Sequence, residues 1–134
     1  MNGNRIIATG AALLAIAVIL GAFGAHALKE RLDPAQLANW RTGVDYHFYH
    51  ALGLLLVGLL ENRVGLKRAR WISGLLVAGI VLFSGSLYVL SAKDLLGTEG
   101  ASRLLGPITP LGGLCFIAGW AVLFITALRQ HDRG

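Results

Sequence analysis

The segment Thr42 to Leu56 places titratable side chains directly ahead of an apolar run. It reads TGVDYHFYHALGLLL, and the polar residues that could do chemistry are Asp45, Tyr46, His47, Tyr49 and His50. On a helix, residues three or four apart share a face, so His47 and His50 point to similar sides and Tyr46 reaches His50. Imidazole and phenol groups can form hydrogen bonds, and imidazole also ligates metals and transfers protons.

Metal binding and catalysis are the sharpest forms of that chemistry. His26, His47 and His50 could together hold zinc or copper, because neutral imidazole suits both ions. An H-x-x-H pair alone is a weak metal motif, however, and no cysteine or second histidine pair supports it. We therefore predict no metal and no other cofactor, with these histidines as weak candidates only.

A serine nucleophile is also poorly supported. Ser84 or Ser86 could pair with His50 as base and Asp45 as orienting group, but Asp45 and His50 lie roughly 140° apart around a 3.6-residue helix. The sequence contains no phosphate-binding glycine loop, metalloprotease pair or dinucleotide fingerprint. The prediction is a protein that is not an enzyme.

The elements that position these residues are predicted from hydropathy. Of the 134 residues, 55% are hydrophobic and 14% are charged, against about a quarter charged in soluble domains. Each of four apolar stretches approaches the ~20 residues that a helix needs to cross a membrane: Ile6 to Ala27, Arg41 to Leu60, Trp71 to Ala92 and Pro107 to Leu128. We predict an all-α membrane protein, a single domain over residues 1–134 forming a four-span antiparallel helix bundle.

The charges predict its orientation. The second loop and the two termini hold seven of the twelve Lys and Arg residues and two of the seven acids, whereas the first and third loops hold five of each. By the positive-inside rule, the second loop and both termini face the cytoplasm. The basic loop is interpreted as an orientation signal that also attracts anionic lipid head groups, rather than as a nucleic-acid site.

The first span has an alternative interpretation as a signal peptide. Arg5 gives a basic start and Ala25-His26-Ala27 resembles a cleavage site, but the apolar run exceeds the ~7 to 15 residues typical of a signal-peptide core. We therefore expect it to be retained. Cys115 is the only cysteine, so no internal disulfide is expected.

Two local patterns concern helix packing and helix ends. Ala17, Gly21 and Ala25 recur every four residues and give a smooth face, which predicts close helix packing within one chain or in a homo-oligomer. Asp33-Pro34 followed by Gln36 predicts a capped helix start. That helix either runs unbroken into the second span or bends near Gly43.

Depth places the polar residues on one side of the membrane. With the termini inside, the polar side chains fall at outer or middle depth, and His50 lies near the midplane if its span of ~20 residues ends at Leu60. The predicted ligand-binding residues are His26, Asp45, Tyr46, His47, His50, Ser84, Ser86, Tyr88 and Thr109. They could form a pocket for a lipid head group, small ligand or partner helix, a proton or ion path, or hydrogen bonds that fix helix register.

Four segments carry a family resemblance. They are GAFGAHAL at Gly21 to Leu28, TGVxYHxxHAL at Thr42 to Leu52, FSGSLY at Phe83 to Tyr88 and GPITPLGG at Gly106 to Gly113. Together they resemble the domain-of-unknown-function 423 family of small YgdD-like bacterial inner-membrane proteins, which is related to a small eukaryotic transmembrane protein.

The resemblance implies a multi-pass protein of the bacterial inner membrane and brings no catalytic residue with it. Some relatives are linked to membrane integrity, so the predicted function is a non-enzymatic membrane protein whose outer polar pocket supports integrity, with membrane lipids and further copies as partners. The alternative is a small transporter component for ions, protons or solutes that uses His50 as its relay.

Overall fold

The computed structural model describes residues 2–98, 100 and 102–131, and these residues are all-helical. Glu99, Asp132 and Arg133, which entered the charge comparison, lie outside the described residues. The elements are α1 (Gly3–Ala25), α2 (Pro34–Leu59), α3 (Glu61–Val64), α4 (Leu66–Gly79), a π-helical segment (Ile80–Ser84), α5 (Gly85–Ser91), α6 (Lys93–Leu96), α7 (Ser102–Leu105) and α8 (Ile108–His131). No strand occurs in these ranges, which confirms the predicted all-α class.

Three helical stretches are long and apolar enough to cross a membrane. They are Gly3–Ala25, Leu66–Ser91 and Ser102–Arg129. Only 17% of the apolar window of the first stretch is buried, so most of α1 faces outwards, as a lipid-facing helix does. The structure therefore supports a multi-pass membrane protein.

The second predicted span lies within α2, which is not among these three stretches. The first half of α2 carries Arg41 and Asp45, and two imidazoles follow at His47 and His50; these residues lower the apolar content of the helix. Nine residues of α2 are nevertheless buried, because α1, α4, α5 and the π-helical segment all pack against it. The crossing by α2 stays a prediction.

The predicted start of α2 is confirmed. The Asp33 carboxylate accepts a hydrogen bond from the Gln36 backbone N–H at 2.8 Å, and the Gln36 side chain accepts one from the Asp33 N–H at 3.1 Å. Pro34 occupies the first turn, where a missing N–H costs no helical bond. From this cap α2 runs without interruption to Leu59, as the alternative of one unbroken helix predicted.

Glycines bring the helices into close contact. A Cβ atom at Gly10 of α1 would lie 3.0 Å from the Ala51 carbonyl oxygen of α2. One at Gly53 of α2 would lie 2.9 Å from the Trp120 ring of α8. In a membrane this close packing has to supply the attraction between helices, because lipid is as apolar as the side chains.

These contacts make neighbouring helices antiparallel. Gly3 of α1 faces Gly58 of α2, whereas Gly24 faces Trp40. The α1–α2 connection therefore lies at one end of the molecule and the connection from α2 through α3 to α4 at the other. We call them the α1–α2 end and the α2–α4 end. The fully buried side chains Ile6, Leu54, Ile72 and Leu76 lie in the core cluster of the α2–α4 half.

Candidate functional site

His47 is anchored inside the protein. Its ring is 3% exposed, and its Nδ1 atom shares a hydrogen bond of 3.1 Å with the Tyr88 hydroxyl of α5. The ring also lies near the Leu13 backbone of α1, but Nε2 has no hydrogen-bond partner among the described residues. The imidazole therefore links α2 to α5 by a hydrogen bond and lies beside α1.

His50 is held by its own helix and by an aromatic stack. Its Nδ1 atom lies 2.6 Å from the Tyr46 carbonyl oxygen. A carbonyl only accepts, so Nδ1 carries a proton and donates it. The ring stacks on Phe116 of α8 with centroids 3.4 Å apart and planes at 14°. His50 is only 7% exposed, so these contacts favour a structural role for it in helix packing. Its role as a proton relay stays a prediction.

Tyr46, Phe83, Phe116 and Trp120 extend this stack into an aromatic cluster. The Tyr46 and Phe83 ring centroids are 4.6 Å apart, and those of Phe83 and Phe116 are 5.7 Å apart. Tyr46 also approaches His50, as its spacing on the helix predicts, with centroids 5.8 Å apart. Sequence analysis identified Tyr46 but missed the other three members, because an aromatic residue in an apolar span carries no separate signal.

A second polar link joins α5 to α8. The Ser86 hydroxyl lies 2.6 Å from the Thr109 hydroxyl and donates to the Phe83 carbonyl at 2.9 Å. The Thr109 hydroxyl also lies 3.5 Å from the Leu105 carbonyl oxygen, so each hydroxyl has a carbonyl acceptor nearby and either one can be the donor between them. These two predicted residues are brought together, two positions from Tyr88 along the chain.

Ser84 differs from Ser86 in having no partner. Its hydroxyl is buried at the end of the π-helical segment and forms no hydrogen bond within the described residues. Ser73 and Ser91 of the same long stretch are also buried, and their hydroxyls have no hydrogen-bond partner in the described part of the chain. π-Helical turns are rare and often occur at functional sites, and the sequence analysis predicted no such turn.

His26 and Asp45 do not join the buried histidines. Both are exposed, and His26 follows the last residue of α1, where its backbone N–H donates to the Ala22 carbonyl. No hydrogen bond or ring contact in the described part of the chain links His26 to His47 or His50. Nor do the described residues contain a group of three or more His, Cys, Asp or Glu side chains that could hold a metal ion.

A cleft opens at the α1–α2 end. Its volume is about 700 Å³, and its lining combines apolar, aromatic and charged residues, among them Phe23, His26, Glu30, Arg31, Trp40 and Tyr88. The Trp40 ring packs 4.8 Å from the Tyr88 ring, and its Nε1–H donates to the Leu20 carbonyl at 3.0 Å. Two predicted site residues, His26 and Tyr88, thus share one cavity, which we call the His26–Tyr88 cleft.

The small-residue face of α1, formed by Ala17, Gly21 and Ala25, is packed against α2 at one end and exposed at the other. Ala17 is fully buried, and a Cβ at Gly21 would lie 3.3 Å from Val44 of α2, whereas Ala25 is exposed. The contact within one chain therefore accounts for the first two positions. Ala25 lines a smaller recess of about 210 Å³ together with Arg41 and Asp45.

Comparisons with known proteins identify relatives along most of the chain. A family model described as "Protein of unknown function (DUF423)" matches residues 20–113. The UPF0382 membrane protein YwdK of Bacillus subtilis strain 168 is 44% identical over 92% of this chain and 95% of its own length. The UPF0382 inner membrane protein YgdD of Escherichia coli K12 is 38% identical over 89% and 86%, respectively. No solved structure matches the chain.

Proposed function

This chain belongs to the DUF423 family, and from that premise we propose that it is a non-enzymatic multi-pass protein of the inner membrane whose His26–Tyr88 cleft binds a lipid head group. The observation that carries the proposal is the cleft itself, because Glu30 and Arg31 line the same cavity as the Trp40 and Tyr88 rings. Such a lining suits an amphiphile, because its charged part meets the polar rim and its apolar part meets the aromatic wall.

The buried histidine supports this cleft from behind. Tyr88 lines the cavity while its hydroxyl is fixed by His47, whose ring lies beside α1. Trp40 is fixed in the same way by the Leu20 carbonyl. Both aromatic walls therefore have one defined position before a ligand arrives, which lowers the cost of ordering side chains on binding.

Charge and volume variants in matched pairs test this function. Arg31→Gln removes a cation that lines the cleft, whereas Lys29→Gln removes one from the same exposed connection outside the lining. Ala27→Phe fills the cleft, and Ala22→Phe adds the same bulk to an exposed position of α1. We expect less lipid to co-purify with Arg31→Gln and Ala27→Phe than with their controls, by mass spectrometry of the detergent-purified protein.

The comparison also distinguishes other occupants. Equal lipid content in all four variants would contradict a lipid site. If the cleft binds a small water-soluble ligand, the variants would contain the same amount of lipid. The same spectra would then show a change in a different bound mass. A partner helix from another copy would change the particle mass in Ala27→Phe, which native mass measurement detects.

Membrane integrity and self-association belong to the same proposal. We propose that occupancy of the cleft supports membrane integrity, so cells carrying Ala27→Phe should admit more of an impermeant dye than cells carrying Ala22→Phe. We also propose a homo-oligomer through the exposed end of the small-residue face at Ala25, which leaves room for the close approach of another helix. A fully monomeric native mass in a mild detergent would contradict this.

A further inference from the structure

A second recess lies on α4, at the opposite end of the molecule from the His26–Tyr88 cleft. It measures about 920 Å³, and its lining is predominantly apolar. The lining residues all come from the first ten positions of α4: Leu66, Lys67, Arg70, Trp71, Gly74 and Leu75. We call this surface the α4 groove, and the lipid-binding proposal for the outer cleft makes no use of it.

The helical spacing explains how the groove combines charge with apolar surface. Lys67, Arg70, Trp71 and Gly74 fall within an arc of about 100° on a helix of 3.6 residues per turn. The cations lie at the end where α4 begins, and the glycine lies one to two turns further into the apolar stretch. Charge and apolar surface thus follow each other along one face, in the order in which a phospholipid presents its phosphate and its acyl chain.

Gly74 makes a notch in this face. A Cβ atom added there would meet no atom of the described residues within 4 Å, so the position opens outwards and does not pack against another described helix. Trp71 stands beside it with 66% of its surface exposed. Indole rings favour the boundary between head groups and acyl chains, which places the cationic end of the groove at head-group level.

The positive charge around the α4 groove indicates which class of lipid the groove would bind. The connection from α2 to α4 and the start of α4 carry Arg63, Lys67, Arg68 and Arg70 against Glu61. We propose that the α4 groove is a binding site for an anionic phospholipid, with its phosphate at Lys67 and an acyl chain along Trp71 and Gly74. A cationic residue near a membrane surface attracts anionic lipid by about 1 kcal/mol, which corresponds to roughly fivefold in binding.

Trp71 supplies a built-in reporter for the test. The chain has three tryptophans, and in a Trp40→Phe, Trp120→Phe background the fluorescence comes from Trp71 alone. The protein is placed in vesicles that contain brominated phosphatidylglycerol or brominated phosphatidylcholine with identical acyl chains. The ratio of quenching by the two lipids then gives the preference of the groove for the anionic head group.

Matched variants locate that preference. Lys67→Gln should reduce the preference for phosphatidylglycerol about fivefold. Arg68→Gln, which removes the same charge one position away and outside the lining, should reduce it clearly less than Lys67→Gln does. Gly74→Leu should weaken quenching by both lipids, because it fills the notch while keeping every charge. Circular dichroism of each variant confirms that the helices are retained.

Three results would overturn the proposal. Equal quenching by the two lipids in the parent protein would indicate ordinary lipid contact without selection. Equal losses in Lys67→Gln and Arg68→Gln would indicate a diffuse charge effect instead of a site. A change of oligomeric mass in Gly74→Leu would assign the groove to contact between copies of this chain.

Discussion

At the scale of single residues, the hydrogen bond between His47 and Tyr88 is the contact with the clearest energetic consequence. Tyr88→Phe removes the hydroxyl and leaves Nδ1 of a buried imidazole without its partner. We expect the free energy of unfolding to fall by about 1 to 2 kcal/mol, because a buried unpaired polar atom is costly while hydrogen bonds within membranes contribute modestly. Denaturant titration in detergent measures the change.

Tyr49→Phe is the control for that substitution. Tyr49 is on the same helix as His47 and is 58% exposed, and its ring lies tilted against the Tyr46 ring with centroids 6.3 Å apart. Its loss of a hydroxyl should leave stability within a few tenths of a kcal/mol. Equal losses of stability in Tyr88→Phe and Tyr49→Phe would show that the His47–Tyr88 hydrogen bond does not stabilise the protein more than an exposed hydroxyl does.

The sequence predicted the residues of this pair better than their roles. Depth and spacing identified His47 and Tyr88 because buried polar groups in a membrane are rare and need partners. The same reasoning grouped His26 with them, although it is exposed at the end of α1. The position of a residue along its helix gives the depth of its side chain in the membrane. Which neighbouring helix the side chain contacts depends on how the helices are rotated about their axes, and hydropathy carries little information about that rotation.

At the scale of elements, two adjacent glycines in α8 differ in how closely they pack against the π-helical segment. A Cβ at Gly112 would lie 2.7 Å from the Phe83 Cβ and 2.8 Å from its Cα, whereas one at Gly113 would lie 3.9 Å from the edge of the same ring. Gly112→Ala should therefore lower the free energy of unfolding by about 1 to 3 kcal/mol through overpacking. Gly113→Ala should be neutral or stabilise by up to about 1 kcal/mol, because alanine favours helix.

This pair also probes the π-helical segment. Phe83 belongs to that segment, and moving it away from α8 would also shift the Tyr46 and Phe116 rings that it contacts. Near-ultraviolet circular dichroism should thus change in Gly112→Ala and stay the same in Gly113→Ala. An unchanged spectrum and stability in Gly112→Ala would mean that the contact between α8 and the π-helical segment is looser than described.

Element ends were predictable where a local motif exists. Asp33, Pro34 and Gln36 satisfy the start of α2 by contacts within four residues, so the sequence contains the whole cause. The π-helical turn at Ile80–Ser84 has no such local cause, because it is formed where Gly79 packs on Phe116 and Gly112 on Phe83. A π-helical turn that depends on contact between helices far apart in the sequence leaves no signal in either segment alone.

At the scale of the whole molecule, the two ends differ in chemistry. The α1–α2 end holds the His26–Tyr88 cleft and, behind it, the His47–Tyr88 and Ser86–Thr109 links. The α2–α4 end holds an apolar core of Ile6, Leu54 and Ile72, bordered by the basic residues. A polar side facing away from the cytoplasm was the central prediction from sequence, and the orientation of these two ends in the membrane stays a prediction.

The path of α2 is the architectural step that joins those ends. α2 begins beside the last turns of α1, where Gly24 faces Trp40, and finishes beside its first turn, where the Gly3 N–H donates to the Glu61 carboxylate just beyond α2. If α1 crosses the membrane, α2 travels the same distance alongside it, and its 26 residues extend about 39 Å against a hydrocarbon core of ~30 Å. The imidazoles that lower its apolar content are buried against other helices, which is where a membrane protein tolerates them.

Cysteine labelling from one side of the membrane tests this fourth crossing and the orientation together. In a Cys115→Ser background, we expect an impermeant maleimide to label Ala35→Cys, at the exposed start of α2, in intact spheroplasts. It should label Asn62→Cys, exposed in α3, only after the membrane is permeabilised, because the basic α2–α4 end is predicted to face the cytoplasm. Labelling of both sites from the same side would remove the crossing by α2, and the reversed pattern would place the His26–Tyr88 cleft in the cytoplasmic leaflet.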